Sequence, residues 1–274
     1  MPVPDNLIAS IDELEPLPVT IQNLISAVQK DHVEFQEVAD IVERDEALIS
    51  NVLRAVNSTS NAGREPITNT RTAVIRLGTS FMLEMALSRF LQGQTLAPDI
   101  YDLDETDLWR HGMATRQAVC RIIALRPDAG IHPLAPTAAI VHDVGKLIMV
   151  RYMKAEIAEI LACCEEKGIT FVEAEREIFG CDHAEVGAEI GRAWGFPDLL
   201  VEVIEQHHSD PVENPSPLLD AVMVANHVSK TIGVGLGAQG MNVNLDPASL
   251  ERLGLGYEDY CRITAETAVE MQRL

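Results

Sequence analysis

The sequence predicts an all-α protein, a two-lobed helical bundle. Three observations carry that prediction. Apolar residues recur at intervals of three and four along most of the 274 residues, with almost no alternation of period two. Aromatic residues make up only 4% of the chain, so Leu, Ile, Val, Ala and Met must fill the core, a palette that suits packed helices better than a β-sandwich. Capping and breaker residues punctuate the periodic stretches.

In the first lobe, Ile21, Leu24, Ile25 and Val28 mark a helix over 19–30. Val38, Ile41 and Val42 mark the next, which ends near Glu43-Arg44, and Asp45 is placed to cap a helix over 46–57. A breaker over 58–66 precedes a helix over 70–77, which Gly78 ends; Ser80 is placed to cap a helix containing Met82, Leu83, Met85, Ala86 and Leu87. Residues 92–103, with Gly93, Pro98 and Asp99, read as a link. The boundary falls near residue 98, giving an N-terminal lobe over 1–98 and a second lobe over 99–274.

The second lobe opens with a long helix over about 105–125, then a Pro/Gly-rich loop to Pro136. A helix carrying His142-Asp143 follows, and further helices fit 154–167, 171–178, 183–194, 198–208, 217–232 and 258–273. Residues 233–240 are rich in glycine and read as a loop. Their Gly-x-Gly-x-Gly follows a helix rather than a strand, so a dinucleotide fingerprint is not indicated.

Charge narrows the partners. Against 21 basic residues stand 42 acidic ones, a net −21, and such a field repels nucleic acid and anionic membrane surfaces. Only the stretch from Arg64 to Arg126 lacks an acidic excess, which suits either a patch for an anionic ligand or ordinary solvated helix faces. Five cysteines without C-x-x-C spacing indicate neither a disulfide framework nor a thiolate zinc site. No signal-peptide pattern and no run of ~18 uncharged apolar residues occurs, so a cytoplasmic protein is expected.

The chemistry concentrates in the second lobe. His142, Asp143 and Lys146 interrupt the otherwise apolar run from Ala138 to Leu147, where unpaired polar groups are costly. His111, His183, His207 and His208 also fall within expected helices or at their ends. Consecutive helix residues differ by about 100° in direction, so His142 and Asp143 can lean toward one ion beside their helix. Histidine with carboxylate suits iron, manganese or zinc. Asp107, four residues before His111, shares its helical face and offers a second carboxylate. Asp182 and Glu185 bracket His183 as a capping box, and one ring of His207-His208 can turn inward with the other outward. The alternative is that these are hydrogen-bonded core or helix-end histidines with simple caps beside them.

Aligned in this order, the residues resemble the HD superfamily of metal-dependent phosphohydrolases. His111 matches the first histidine, His142-Asp143-Val144-Gly145-Lys146 the doublet motif, and His183, His207 and His208 the later positions of the branch that hydrolyses cyclic dinucleotides. The resemblance implies that these residues, Asp143 and the acidic residue at Asp107 bind one or two divalent ions, with Fe or Mn preferred over Zn or Ni. Two departures stand out. The segment after His208 lacks that branch's Gly-Tyr-Pro motif, and its late aspartate falls at Asn226.

The chain as a whole resembles the HDOD family, through Leu17-Pro18, Ala39 to Asp45, Ala55-Val56-Asn57-Ser58, Thr72 to Gly78, His183 to Gly187 and Trp194-Gly195-Phe196-Pro197. This implies a bacterial signal-transduction module, working through a signalling protein partner or a phosphorylated small ligand. The rival implication is an active phosphohydrolase. In it Asp143 binds metal and orients water, and Lys146 steadies a phosphate oxygen.

Overall fold

Side-chain caps set where many helices of this chain begin. In the computed structural model, Asp45, Asn69, Thr170, Asp182, Ser216 and Asp246 each accept a hydrogen bond from a backbone N–H two or three residues on. These bonds satisfy donors that the first turn of a helix leaves open. The structure describes residues 3–4, 7–8, 11, 14–30, 32–58, 65–94, 107–152, 157–209, 212–234 and 245–273, and every regular element among them is helical.

The first lobe holds α1 (Val19–Val28), α2 (Phe35–Val42), α3 (Glu46–Val56), α4 (Thr70–Leu77) and α5 (Thr79–Gln92). Ser80 does not cap α5. Gly78, at φ 90°, ends α4 and starts α5 in a single residue, so Ser80 falls inside the first turn. α5 packs against α1, α2, α3 and α4.

The second lobe holds α6 (Asp107–Leu125), α7 (Ala135–Val141), α8 (Lys146–Tyr152), α9 (Ile157–Lys167), α10 (Phe171–Phe179), α11 (His183–Ala193), α12 (Asp198–Gln206), α13 (Pro217–Thr231), α14 (Pro247–Arg252) and α15 (Tyr257–Met271). The expected single helix around His142-Asp143 is two helices, α7 and α8, with the doublet between them. α14 is an addition, begun by the Asp246 cap. The boundary near residue 98 and residues 235–240 of the glycine-rich stretch lie outside the described residues.

α6, α7 and α13 pack against one another at the centre of this lobe, and α5 joins them through α6 and α7. One continuous cluster of buried apolar residues runs from Leu24 and Val38 to Leu219 and Val228. Polar ties cross the same contact. Arg116 Nε donates to Glu84 Oε1 at 2.8 Å, and Trp109 Nε1 donates to Ser88 Oγ at 3.1 Å. No helix among the described residues is long and apolar enough to cross a membrane.

Candidate metal centre

Two glycines bring the functional helices within reach of each other. A Cβ on Gly112 would lie 2.9 Å from the Ile140 carbonyl oxygen, so only glycine lets α6 approach α7 this closely. The approach sets the His111 ring 5.2 Å from that of His142. A Cβ on Gly145 would lie 1.8 Å from the His183 carbonyl oxygen and 2.6 Å from the Gly187 nitrogen. That contact presses the start of α11 against the doublet.

His142 and Asp143 sit in a tight turn rather than in a helix. Val144 N donates to Val141 O at 3.0 Å and Lys146 N to Asp143 O at 3.0 Å, the i→i+3 pattern of a 3₁₀ turn. Residues three apart eclipse in such a turn, and Lys146 Nζ accordingly rests 2.5 Å from Asp143 Oδ2. Both side chains are buried.

Asp143 is the hub. Its Oδ1 lies 3.2 Å from His183 Nε2 and 3.4 Å from His207 Nε2, and its Oδ2 lies 3.6 Å from the Nε2 atoms of both His111 and His142. His208 Nε2 faces His183 Nε2 at 3.1 Å. The rings of His207 and His208 therefore both turn to the site, with centroids 4.1 Å apart. The expected split between an inward and an outward ring is not seen: His207 is buried, His208 half-buried, and both belong to the ligand group around Asp143.

The other nitrogen of each inner ring is anchored. Nδ1 of His142 meets Ala139 O at 2.8 Å, that of His207 meets Ile204 O at 2.8 Å, and that of His111 meets Val234 O at 3.0 Å. A carbonyl only accepts, so each Nδ1 carries the proton and each Nε2 of a neutral ring presents a lone pair to the pocket. Burial keeps these rings neutral. It lowers His111 to about 4, His142 well below the ordinary histidine value, and His207 and His208 below it as well. Burial opposes the charge on Asp143 too, but Lys146 and the surrounding imidazoles hold its carboxyl well below the usual range.

This donor set fits a metal ion. His142 Nε2, His207 Nε2 and Asp143 Oδ1 are buried without a hydrogen-bond partner, a state that costs about 1–3 kcal/mol per group unless a ligand satisfies it. Two groups have ligand atoms mutually within 4.8 Å: Asp143 with His183, His207 and His208, and Asp143 with His111 and His142. Imidazole with carboxylate is a donor set for first-row divalent metals.

The family model of the HDOD domain matches residues 14–210, well over half of the chain. The chain belongs to the HDOD family. It is 21% identical over 222 residues to an uncharacterised protein of Treponema pallidum (strain Nichols), a match covering 79% of this chain and 42% of that one. It thus spans less than half the length of that relative. Among solved structures it is similar to an HDOD domain protein of Geobacter sulfurreducens, with TM-score 0.70, 21% identity and coverage of 98% and 97% of the two chains. It is also similar to a protein of Shewanella amazonensis provisionally named a phosphohydrolase, with TM-score 0.62, 25% identity and coverage of 95% and 97%.

In this HDOD chain the structure gathers His111, His142, Asp143, Lys146, His183, His207 and His208 in one place, and Asn226 with them. Asn226 is buried on α13, its amide oxygen 3.1 Å from His111 Nε2. Asp107 begins α6 one turn before His111, half-buried, and belongs to neither potential ligand group.

Two residues of the histidine–aspartate cluster escaped the sequence reading. Glu175 on α10 is fully buried, and its Oε2 accepts from His183 Nδ1 at 2.7 Å and from His183 N at 3.2 Å. The available signal was a carboxylate inside the apolar stripe that starts at Phe171 and Ala174. Lys230 is one helical turn beyond Asn226. Burial, then the charge of Lys146, lowers its ammonium to about 8, while Asp143 and Glu175 pull the other way.

Proposed function

We propose that this chain is a regulatory HDOD module of bacterial signal transduction whose pocket binds a divalent metal ion and, beside it, a phosphorylated ligand. The observation that carries the reading is the convergence on Asp143 of His111, His142, His183 and His207, with Asp143 Oδ1, His142 Nε2 and His207 Nε2 buried and unsatisfied. Mixed imidazole and carboxylate donors favour Fe or Mn, with Zn or Ni as alternatives. Once bound, the ion supplies Lewis acidity toward a phosphate oxygen or a water molecule.

The chain's own residues perform the recognition. Asp143, His183, His207 and His208 hold the ion, Glu175 fixes the His183 ring, and Lys146 and Lys230 add positive charge that favours an anionic ligand. Signalling follows from ligand-dependent contacts with a partner protein. Asn226, a neutral amide, argues for binding rather than turnover, because a carboxylate there would bring the charge that hydrolysis in the related HD enzymes draws upon.

A second reading, a metal-dependent phosphohydrolase acting on cyclic dinucleotides or other nucleotides, is favoured by the retained four-residue set around Asp143 Oδ1 and by the likeness to the Shewanella protein. In that reading Asp143 orients the attacking water and Lys146 steadies the phosphate. One experiment separates the two. The Mn-loaded protein is incubated with cyclic dinucleotides, nucleotides and a generic phosphodiester: metal-dependent binding without turnover supports the regulatory module, and turnover abolished by His142→Ala establishes the hydrolase.

A further inference from the structure

The two halves of the pocket are unequal. On the Asp143 Oδ1 side, Oδ1 and His207 Nε2 have no hydrogen-bond partner, and His183 Nε2 and His208 Nε2 are hydrogen-bonded to each other, at 3.1 Å, a bond between two ligand atoms that an ion would replace. Three imidazoles and one carboxylate oxygen make a four-donor set. On the Oδ2 side the corresponding atoms are engaged. Lys146 Nζ stands 2.5 Å from Oδ2, and the Asn226 amide stands 3.1 Å from His111 Nε2, leaving His142 Nε2 as the one open ligand atom.

The chemistry of Asn226 explains its place there. His111 Nδ1 donates to Val234 O, so Nε2 of the neutral ring has a lone pair to be satisfied. An amide can turn its NH₂ toward that lone pair, since its two ends are assigned from the hydrogen-bond network, whereas a carboxylate has no donor to offer. Asn226 thus does without a metal what a ligating aspartate does with one. Lys146 does the same for Oδ2, supplying a positive charge from within the chain.

Charge counting points the same way. Asp143 and Glu175 formally cancel Lys146 and Lys230, so one divalent ion leaves the pocket at +2 and two would leave it at +4. Uncompensated charge in a buried site is costly.

We infer that the pocket holds a single metal ion, on Asp143 Oδ1 with His183, His207 and His208, and that the Lys146 ammonium and the Asn226 amide take the place of a second ion on the His111–His142 side. This rests on the metal-binding reading above. The seat near α11 and α12 becomes the point where a ligand oxygen meets the ion, and Lys146 becomes an internal counter-cation that also limits metal loading.

The test is metal stoichiometry of the full chain loaded with Mn(II), by elemental analysis after gel filtration, together with the Mn(II) electron paramagnetic resonance spectrum. One ion per chain with an uncoupled spectrum is expected. His207→Ala and His208→Asn should lose the ion and His111→Ala should keep it; His208, half-buried, keeps the test decisive if His207→Ala fails to fold. The double variant Lys146→Met with Asn226→Asp should rise to two ions with an exchange-coupled spectrum. Two ions in the wild type overturns the inference and leaves metal binding intact, as does loss of the ion in His111→Ala with retention in His208→Asn. A double variant that stays at one ion overturns the role given to Lys146 and Asn226. No ion in the wild type removes the metal-binding reading itself.

Discussion

Glu175 Oε2 grips His183 at two points, the ring Nδ1 at 2.7 Å and the backbone nitrogen at 3.2 Å, in a site where both side chains are fully buried. The carboxylate fixes the ring orientation and directs Nε2 toward Asp143. Outer partners of this kind are worth about 10–100-fold in metal affinity. Glu175→Gln should weaken Mn(II) binding by that factor in a chelator competition while leaving the far-ultraviolet circular dichroism unchanged; unaltered affinity would show that Glu175 serves packing alone.

The same pair predicts a pH dependence in the metal-free protein. Burial disfavours charge on His183, but Glu175, helped by Asp143, overrides it and raises the ring to about 9. A folded value above the unfolded one of about 6.5 means that the folded state binds the extra proton, so this stabilisation is full below pH 6.5 and is lost as pH rises through 9. The raise corresponds to no more than about 3–4 kcal/mol at 1.36 kcal/mol per pH unit. Urea denaturation at pH 6 and pH 9.5 should show the wild type losing more stability over that interval than Glu175→Gln. Parallel losses would contradict the assignment.

Gly145 and Gly112 should be intolerant of a methyl group to different degrees. At Gly145 the new Cβ would sit 1.8 Å from a backbone oxygen, so Gly145→Ala must move α11 or the doublet, and a cost at or beyond the upper end of the ~1–3 kcal/mol for overpacking is expected together with loss of metal binding. Gly112→Ala, at 2.9 Å from Ile140 O, should cost about 1–3 kcal/mol. Gly93, whose Cβ would meet nothing closer than 3.4 Å, is the control, with a change within about 0.5 kcal/mol. Thermal melts of the three variants check the order.

Glu84 and Arg116 tie α5 to α6. Glu84 is buried and Arg116 keeps 20% of its side chain exposed. Glu84→Ala strands the guanidinium and should cost about 3 kcal/mol, the lower end for a buried pair because of that exposure. Joining it with Arg116→Met should recover part of the loss in a double-mutant cycle.

Much of the fold was legible where local chemistry decides it. Asp45 caps α3 through Leu48 N, and α4 spans the residues its periodicity marks, 70–77. Ser80 misled because a positive-φ glycine can end one helix and begin the next with no cap between. The residues around the centre were legible as a set, since five histidines with an internal His-Asp form a sequence pattern. Their arrangement was not. The 3₁₀ turn at 142–145 follows from Gly145 meeting His183 O and Gly187 N, a long-range contact with no local signature. Glu175 and Lys230 were missed for the same reason, because each looks like an ordinary charged helix residue until the fold buries Glu175 against His183 and brings Lys230 within electrostatic reach of Asp143. Asp107 shares a helical face with His111, but a shared face one turn away does not bring a side chain into the ligand groups.

The most direct measurement is the metal content of the full chain purified without chelator and without an affinity tag, by elemental analysis against amino-acid quantification. One divalent ion per chain, Fe or Mn, is expected, and it should disappear in His207→Ala; a wild-type protein free of Fe, Mn, Zn and Ni that also takes up none of them on reconstitution would contradict a metal centre at Asp143.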